Sequence, residues 1–415
     1  MVEETGIYYM PPMKKGWRLT RIGYVCYKLS KPISENSIPL ICSNKGKVAE
    51  RPDDVTGKMV SEDHAMQGIS KGDIAIHGMD TWHGAIAYSE LDGKITRVVH
   101  VCDSSEDNRY IVYYLQLLAH LGVYKLISNG VRGNTSDFRS WDKVKDIRIS
   151  LPPISEQRSI ADYLDKKTAE IDAAINEAQG LIDKYKAYKQ SIIFETVTKG
   201  LNPNVSMKDS GVEWVGKIPE HWECTRMGTL FTEGIQKNIF YEYDHAMKFT
   251  YGALVPKNEE GDVSELKGTY LAYSIIEEDD IAINGLNLNF DFVSQRVARS
   301  PERGILTSAY LILKPKDRRY SRFFTYQLKS WDNQKVFHGM GKGVRLTLSF
   351  AEVKKMLMPV PPLKEQLAIA DYLDNKYMQI DSVICEKENL ISKLQNYKKS
   401  IIFEYVTGKK EVPNG

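Results

Sequence analysis

The stretch HGMGKG, His338 to Gly343, places glycines beside a lysine as a phosphate cradle would. It lacks the Ser or Thr that follows the lysine in GxxxxGK[ST] and holds magnesium, which argues against a nucleotide P-loop. Pro52-Asp53 together with Asp92-Gly93-Lys94 supplies two carboxylates and a lysine, a set that can hold a metal beside a phosphate in a nuclease. Yet Asp92-Gly93 lies between AIAYSEL and ITRVVHV, and Asp-Gly between two apolar runs predicts a hairpin turn. His77 and His83 sit six apart across a predicted loop and read as polar surface rather than as metal ligands. Asn202-Pro203-Asn204 is the nearest approach to the Asn/Asp-Pro-Pro-aromatic loop that clamps an amino group in amino-methyltransferases, and it reads as a turn.

Recognition chemistry is better represented. Two Gly-Val-Arg segments, Gly130-Val131-Arg132 and Gly343-Val344-Arg345, bring Arg132 with Asn134 and Lys342 with Arg345. Glycine lets backbone approach a phosphate closely, and the cations can bond phosphate or guanine. A second shared element, GDIAIHG (Gly72 to Gly78) and DDIAING (Asp279 to Gly285), is flanked by Trp82, Asn284, Asn287 and Asn289, and asparagine can read an adenine edge with two hydrogen bonds. The candidate DNA-binding residues are therefore Arg132, Asn134, Lys342, Arg345, Trp82, Asn284 and Asn287. An ordinary polar loop fits each residue singly; the recurrence of both elements is what joins them.

Composition narrows the class. The chain has 415 residues, room for two or three domains, and a formal net charge of +2, short of the strongly basic signature of a stand-alone nucleic-acid binder. The stretch Arg109 to Arg148 gathers Lys125, Arg132, Arg139, Lys143 and Lys145, either a solvated face or a phosphate-facing patch. Five cysteines, never spaced as CxxC, suggest neither a disulfide framework nor a cysteine zinc site, and a reducing cytoplasm is the expected compartment. The opening MVEETGIYYMPPMKKGW lacks the pattern of a signal peptide, and no apolar run reaches the length of a membrane span, so export and insertion are not expected.

The elements that must position these residues are duplicated. PPISEQRSIADYLDKKTAEID begins at Pro152 and PPLKEQLAIADYLDNKYMQID at Pro361, and the copies align without a gap to Thr198 and Thr407, more than half of the positions being identical. In the first copy Leu164, Ile171, Ala178, Tyr185 and Ile192 recur every seventh residue, with Thr168, Ile175, Ile182 and Lys189 between them. The second repeats the seam with Leu373, Ile380, Lys387, Leu394 and Ile401, interleaved by Tyr377, Ile384, Ile391 and Lys398. A strict seven-residue period predicts two long helices pairing with each other, antiparallel around a pseudo-twofold axis, although packing of each helix on its own domain would also bury an apolar stripe. The paired prolines suit the helix starts, and Gly200 and Gly408 suit the stops.

The segments before each helix match more loosely. They share Trp17-Arg18 with Trp222-Glu223, the DIAI element, and WDKVKDIRISLPP with FAEVKKMLMPVPP. Ile95 to Val101, the GDIAI stretch and Ala309 to Leu313 read as strands; Arg109 to Leu121 and Arg322 to Trp331 read as helices. The fold class is therefore mixed α/β with an internal repeat: domain 1–151, helix 152–200, domain 201–360, helix 361–408 and a tail 409–415.

At this level the chain resembles, over essentially its full length, the specificity subunit of type I restriction-modification systems. The resemblance lies in PPISEQRSIADYLD and PPLKEQLAIADYLD, in KQSIIFETVTKGL and KKSIIFEYVTGK, and in DSGVEWVGKIPEHWE (Asp209 to Glu223). The first domain departs from it, since GIYYMPPMKKGW lacks the full Gly-x-Ile-Pro-x-His-Trp form. The resemblance implies two target recognition domains, each reading half of a split double-stranded DNA sequence, spaced by an antiparallel helix pair that docks two methyltransferase subunits. It implies a non-catalytic chain binding no cofactor: S-adenosylmethionine, ATP and magnesium belong to the methyltransferase and restriction subunits, and the methyltransferases flip an adenine for N6 methylation. Repeated Asp162/Asp371, Tyr163/Tyr372 and Lys184/Lys393 point to a surface that binds something twice. The alternatives are a stand-alone bivalent DNA-binding regulator and a metal-dependent nuclease.

Overall fold

The computed structural model describes residues 2–52, 65–128, 138–250, 252–257, 263–288, 291–340 and 348–413. The chain divides into two compact units, Met1–Gln179 with Glu388–Gly415, and Gly180–Lys387. Each unit thus combines one globular domain with portions of two long helices.

In the first unit a four-stranded antiparallel sheet is built from β1 (Cys26–Lys28), β2 (Ile74–His77), β3 (Ile86–Tyr88) and β4 (Val99–Ser104) in the order β1-β4-β2-β3. Alternation along β2 sends Ile74 and Ile76 into one apolar cluster and Ala75 into another, so the sheet is buried on both faces. Helix α1 (Asn108–His120) covers one face, its first turn capped by Asp107, whose carboxylate accepts from the Arg109 and Tyr110 amides. On the other face lie the ladders Met66–Ile69 with Gly93–Thr96 and Leu40–Cys42 with Val48–Glu50. Helix α2 (Ile154–Lys199) follows.

The second unit repeats this plan. Its sheet has β5 (Phe231–Glu233), β6 (Ile281–Ile283), β7 (Val297–Arg299) and β8 (Leu311–Pro315) in the matching order β5-β8-β6-β7. Helix α3 (Ser321–Asn333) takes the place of α1, and α4 (Leu363–Val406) that of α2. Even the smaller ladders recur: Arg18–Arg21 with Arg148–Leu151 corresponds to Glu223–Arg226 with Leu357–Val360.

Both long helices start in the same way. Gln157 donates to the Pro152 carbonyl at 2.9 Å and Gln366 to the Pro361 carbonyl at 2.8 Å, satisfying oxygens just ahead of each first turn. Each stops at a glycine in the left-handed region, Gly200 at φ 73° and Gly408 at φ 70°. A Cβ on Gly408 would lie 2.8 Å from the Trp17 ring, and one on Gly200 3.2 Å from Trp222, so each unit has a tryptophan seated against the end of a long helix.

The apolar seam is continuous with the cores. In the first unit Leu164 and Ile171 of α2 and Ile401 of α4 share one cluster with Tyr110 and Leu151; Ile175 packs against it, half-buried. In the second unit Ile192 of α2 and Leu373 of α4 share a cluster with Trp222 and Phe323. Ile182 and Ile380 are buried, whereas Ile384 and Ile391 are only half-buried. Contacts between the helices within each unit run antiparallel. Tyr163 and Tyr405 pack at 4.5 Å between ring centroids, and Lys398 donates to Asp172 at 2.6 Å; in the other unit Lys189 donates to Asp381 at 2.6 Å.

Two expectations are corrected. The Asp92-Gly93 turn does not close a hairpin, because β3 pairs with β2 while Gly93–Thr96 pairs with Met66–Ile69. For the same reason Ile95 to Val101 is not one strand: the chain changes ladders between Thr96 and Val99, allowing a short apolar stretch to serve two layers. Asp162 and Asp371 stay exposed, and each is held by an arginine of the adjoining domain. Arg109 Nη1 lies 2.7 Å from Asp162 and 2.8 Å from Asp165, and Arg322 pairs in the same way with Asp371 and Asp374.

Because the seam is deepest where it merges with a core, Leu164→Ala and Leu373→Ala should each destabilise by about 3 kcal/mol, against about 1 kcal/mol for Ile384→Ala or Ile391→Ala. Denaturant midpoints of the four variants check this; equal losses at all four sites would contradict it.

Candidate nucleic-acid interface

In each sheet the first strand and the DIAI strand are antiparallel to the same neighbour, so β1 and β2 point one way, as do β5 and β6. The loops that follow these strands leave from the same end of their sheet. That end holds the duplicated glycines. The Gly78 carbonyl accepts from the Phe138 amide at 3.0 Å while its own amide donates to Val98, and the Gly285 carbonyl accepts from Leu348 at 3.2 Å. A Cβ on Gly78 would come within 2.9 Å of the Arg139 Cα, and one on Gly285 within 2.8 Å of the Leu348 Cβ. The close approach of two backbones explains why the repeated element ends in glycine in both units.

Arg132, Asn134, Lys342 and Arg345 fall outside the described residues, as does Asn289. The residues that resume the chain beyond those stretches, Phe138 and Leu348, are the ones pinned beside the DIAI strand. At one end of each sheet the DIAI strand thus lies beside the residue at which the described chain resumes.

Trp82 lies in the short helical turn Thr81–His83 that follows β2. It is half-buried against the first unit's core, its indole nitrogen has no hydrogen-bond partner among the described residues, and the Lys125 ammonium lies 5.9 Å from its ring. In this position it braces the loop rather than presenting a flat ring to solvent. Asn284 sits just after β6, where its carboxamide oxygen accepts from the Leu286 amide at 3.2 Å. Asn287 is exposed and adopts φ 54°, a conformation asparagine tolerates better than most residues.

Arg296 organises the loop carrying these asparagines. It is fully buried and donates to the carbonyls of Asn284 at 2.9 Å, Leu286 at 2.6 Å and Asp291 at 2.7 Å. Its own amide donates to Asp332 at 2.7 Å, whose carboxyl is held above the usual range by burial. Asp291, bonded to Ser294, is pulled down to about 2. The loop then exposes Phe292, which stacks on His338 with centroids 4.8 Å apart, and Val293. The identities of Arg296, Phe292 and His338 as site-building residues are not readable from spacing: Arg296 has four partners on one loop but no counterpart in the repeat.

In the first unit His100 performs the pinning. Its Nε2 donates to the Phe138 carbonyl at 2.7 Å, and burial lowers its basicity below the ordinary 6.5. His77 and His120 are lowered by burial as well. Among the described residues no group of His, Cys, Asp or Glu could hold a metal ion, and no helix is long and apolar enough to cross a membrane.

Comparison with known proteins gives this arrangement a context. Residues 92–196, from the edge of the first core into α2, match the family model described as the type I restriction modification DNA specificity domain. The MjaVIII type I restriction enzyme specificity subunit of Methanocaldococcus jannaschii is 25% identical over 327 residues, covering 74% of this chain and 71% of the relative. The EcoBI specificity subunit of Escherichia coli is 23% identical over 366 residues, covering 80% and 73%. A solved chain from work on complex assembly and conformational transition of the type I R-M system superposes with a TM-score of 0.67 at 14% identity, covering 96% of this chain and 99% of that one, a likeness of fold.

Two outcomes follow from the geometry. Arg296→Met strips donors from several partly buried carbonyls and should cost about 3 kcal/mol, read as a lowered denaturant midpoint. For His100 the folded state disfavours the proton, so the unfolded chain takes it up first as pH falls; this contribution is present above about 6.5 and is lost below it. The denaturant midpoint should therefore drop between pH 7.5 and 5.5, and His100→Gln should flatten, without abolishing, that drop.

Proposed function

We propose that this chain, similar to type I restriction enzyme specificity subunits over about three quarters of its length, supplies the sequence specificity of such a complex. Each unit reads one half of a split DNA target at the end of its sheet where the DIAI strand ends beside Phe138 or Leu348. The observation that carries this reading is the recurrence of that construction, down to the glycine-to-backbone hydrogen bond, in two units of one chain. One unit would contact one stretch of duplex; two equivalent but differently decorated units suit two half-sites of different sequence.

The long helices hold the two readers as an antiparallel coiled coil and dock two methyltransferase subunits. The chemistry belongs to those partners, which bring S-adenosylmethionine for N6 methylation of adenine, and to restriction subunits that use ATP and magnesium. A formal net charge of only +2 fits an assembly in which partners supply much of the phosphate clamp.

The test is to co-express the tagged chain with candidate methyltransferase subunits from its own genome, purify through the tag, and sequence host DNA for N6-methyladenine. The expected result is a complex of two methyltransferases per chain and methylation confined to one split motif. A folded chain that binds DNA but recruits no methyltransferase and leaves no mark would instead identify a bivalent DNA-binding regulator.

A further inference from the structure

The loop between β6 and β7 carries two apolar side chains into solvent: Phe292 is 54% exposed and Val293 91%. The turn beneath them is nonetheless tied down. The Asp291 carboxylate accepts from the Val293 amide at 3.1 Å and from the Ser294 amide at 2.9 Å. The Asp291 carbonyl accepts from the buried Arg296 at 2.7 Å and from His338 Nε2 at 3.0 Å. The imidazole that makes this bond also lies nearly parallel to the Phe292 ring, with 23° between the planes. A slack loop could fold its apolar residues inward, whereas this one is fixed with them outward.

The surroundings of the tip say what it meets. Asn287, Ser294 and Gln295 are its exposed polar neighbours, and none is charged. From Asn284 to Gln295 the one acidic residue is Asp291, whose carboxylate is engaged by backbone amides and lies 3.7 Å from Arg296 Nη2, so no unneutralised acid opposes a phosphate backbone. The other exposed apolar pair of this unit, Ile239-Phe240, is followed by the exposed acids Glu242 and Asp244 and lacks that property. A protein contact of standard size buries roughly 800 Å² on each side, far more than two side chains on one turn supply. Duplex DNA asks for less, since one or two apolar residues suffice to enter a base step, unstack it and kink the helix. In the first unit the corresponding loop, between β2 and β3, exposes no apolar side chain: Met79 and Trp82 are both half-buried.

We propose that Phe292, with Val293 beside it and His338 stacked against it, is a wedge that enters one base step of the DNA half-site read by the second unit and unstacks it. This rests on the proposed function in taking the second unit as a DNA reader, and it adds how that reader works. The ring packs on a base while the imidazole supports it, and because the turn is already fixed, little order has to be gained on binding. A wedge distinguishes sequences by the ease with which the step opens, so it favours pyrimidine–purine steps over stiff A-tracts. The half-site of the first unit stays stacked, and the distortion is confined to one side of the split target.

The test uses the full chain in complex with its methyltransferases, on duplexes carrying the split motif found by methylation sequencing. A fluorescent adenine analogue that brightens when unstacked replaces each purine of both half-sites in turn, the methylated adenines excepted. The expected result is a rise at one step of one half-site, which Phe292→Ala abolishes while weakening binding by about tenfold. Phe292→Leu should retain part of both effects, and Phe240→Ala should change neither. Circular dichroism and melting temperature matching the wild type establish that the variants fold. Half-sites that stay stacked throughout, beside a normal methyl mark, overturn the wedge and leave the proposed function standing. A rise that persists in Phe292→Ala overturns it as well. So does a Phe292→Ala complex that loses methyltransferase subunits in native mass spectrometry while the fluorescence is unchanged, the sign that the tip touches protein. A chain that leaves no methyl mark at any split motif overturns the functional reading and the wedge with it.

Discussion

The arrangement depends on an arginine that ties each globular domain to its long helix. Arg109 stands at the start of α1 and reaches Asp162 and Asp165 on α2, while Tyr113, one turn further along α1, donates to Asp165 at 2.8 Å. In the second unit Arg322 and Tyr326 of α3 meet Asp371 and Asp374 of α4. Burial pulls the Arg322 guanidinium down, and hydrogen bonds to Asp374 and Asp371 more than offset it, so it stays charged. A planar fork facing two carboxylates one turn apart fixes direction as well as distance. Rotation of the helix would break both contacts together. The seam, the tryptophan seats and the sheets lie in register because this joint leaves little freedom between domain and helix.

The sequence carries the large features plainly and the small ones hardly at all. A seven-residue period sustained over five heptads survives any local noise, and Gly200 and Gly408 mark the ends of both helices. The DIAI strand and helices α1 and α3 also stand out, because their apolar spacing is set by a single face or pair of faces. Asp92-Gly93 misleads because a turn signal says where the chain bends and not with which strand it then pairs. Arg296 is silent because its partners are backbone carbonyls, and a carbonyl has no letter in the sequence. Asp162 and Asp371 read as surface repeats, and spacing gives no sign that Arg109 and Arg322, some fifty residues away, are brought against them.

Duplication with a shared scaffold and differing loops separates two demands that conflict in a single domain. The scaffold must be rigid, and its glycines, clamps and tryptophan seats are common to both units. The loops differ: that after β2 is a short turn braced by Trp82, whereas that after β6 is longer and held by a buried arginine. Change in one loop leaves the joint to the helix untouched, since the arginine clamp lies on α1 or α3, elements separate from the loops.

The first unit includes residues from Glu388 onward, and its core contains Ile401, Ile402, Tyr405 and Val406, with the Tyr110 hydroxyl 3.1 Å from the Val406 carbonyl. The second unit draws only on Gly180 to Lys387. During synthesis the ribosome therefore delivers every residue of the second unit before the first can close. The domain that emerges earliest waits longest, with a slot of apolar surface open until the last helix arrives. Nascent-chain quality control would meet the protein in that half-closed form, and a ribosome that stalled short of Ile401 would release a chain whose second unit is complete and whose first is not.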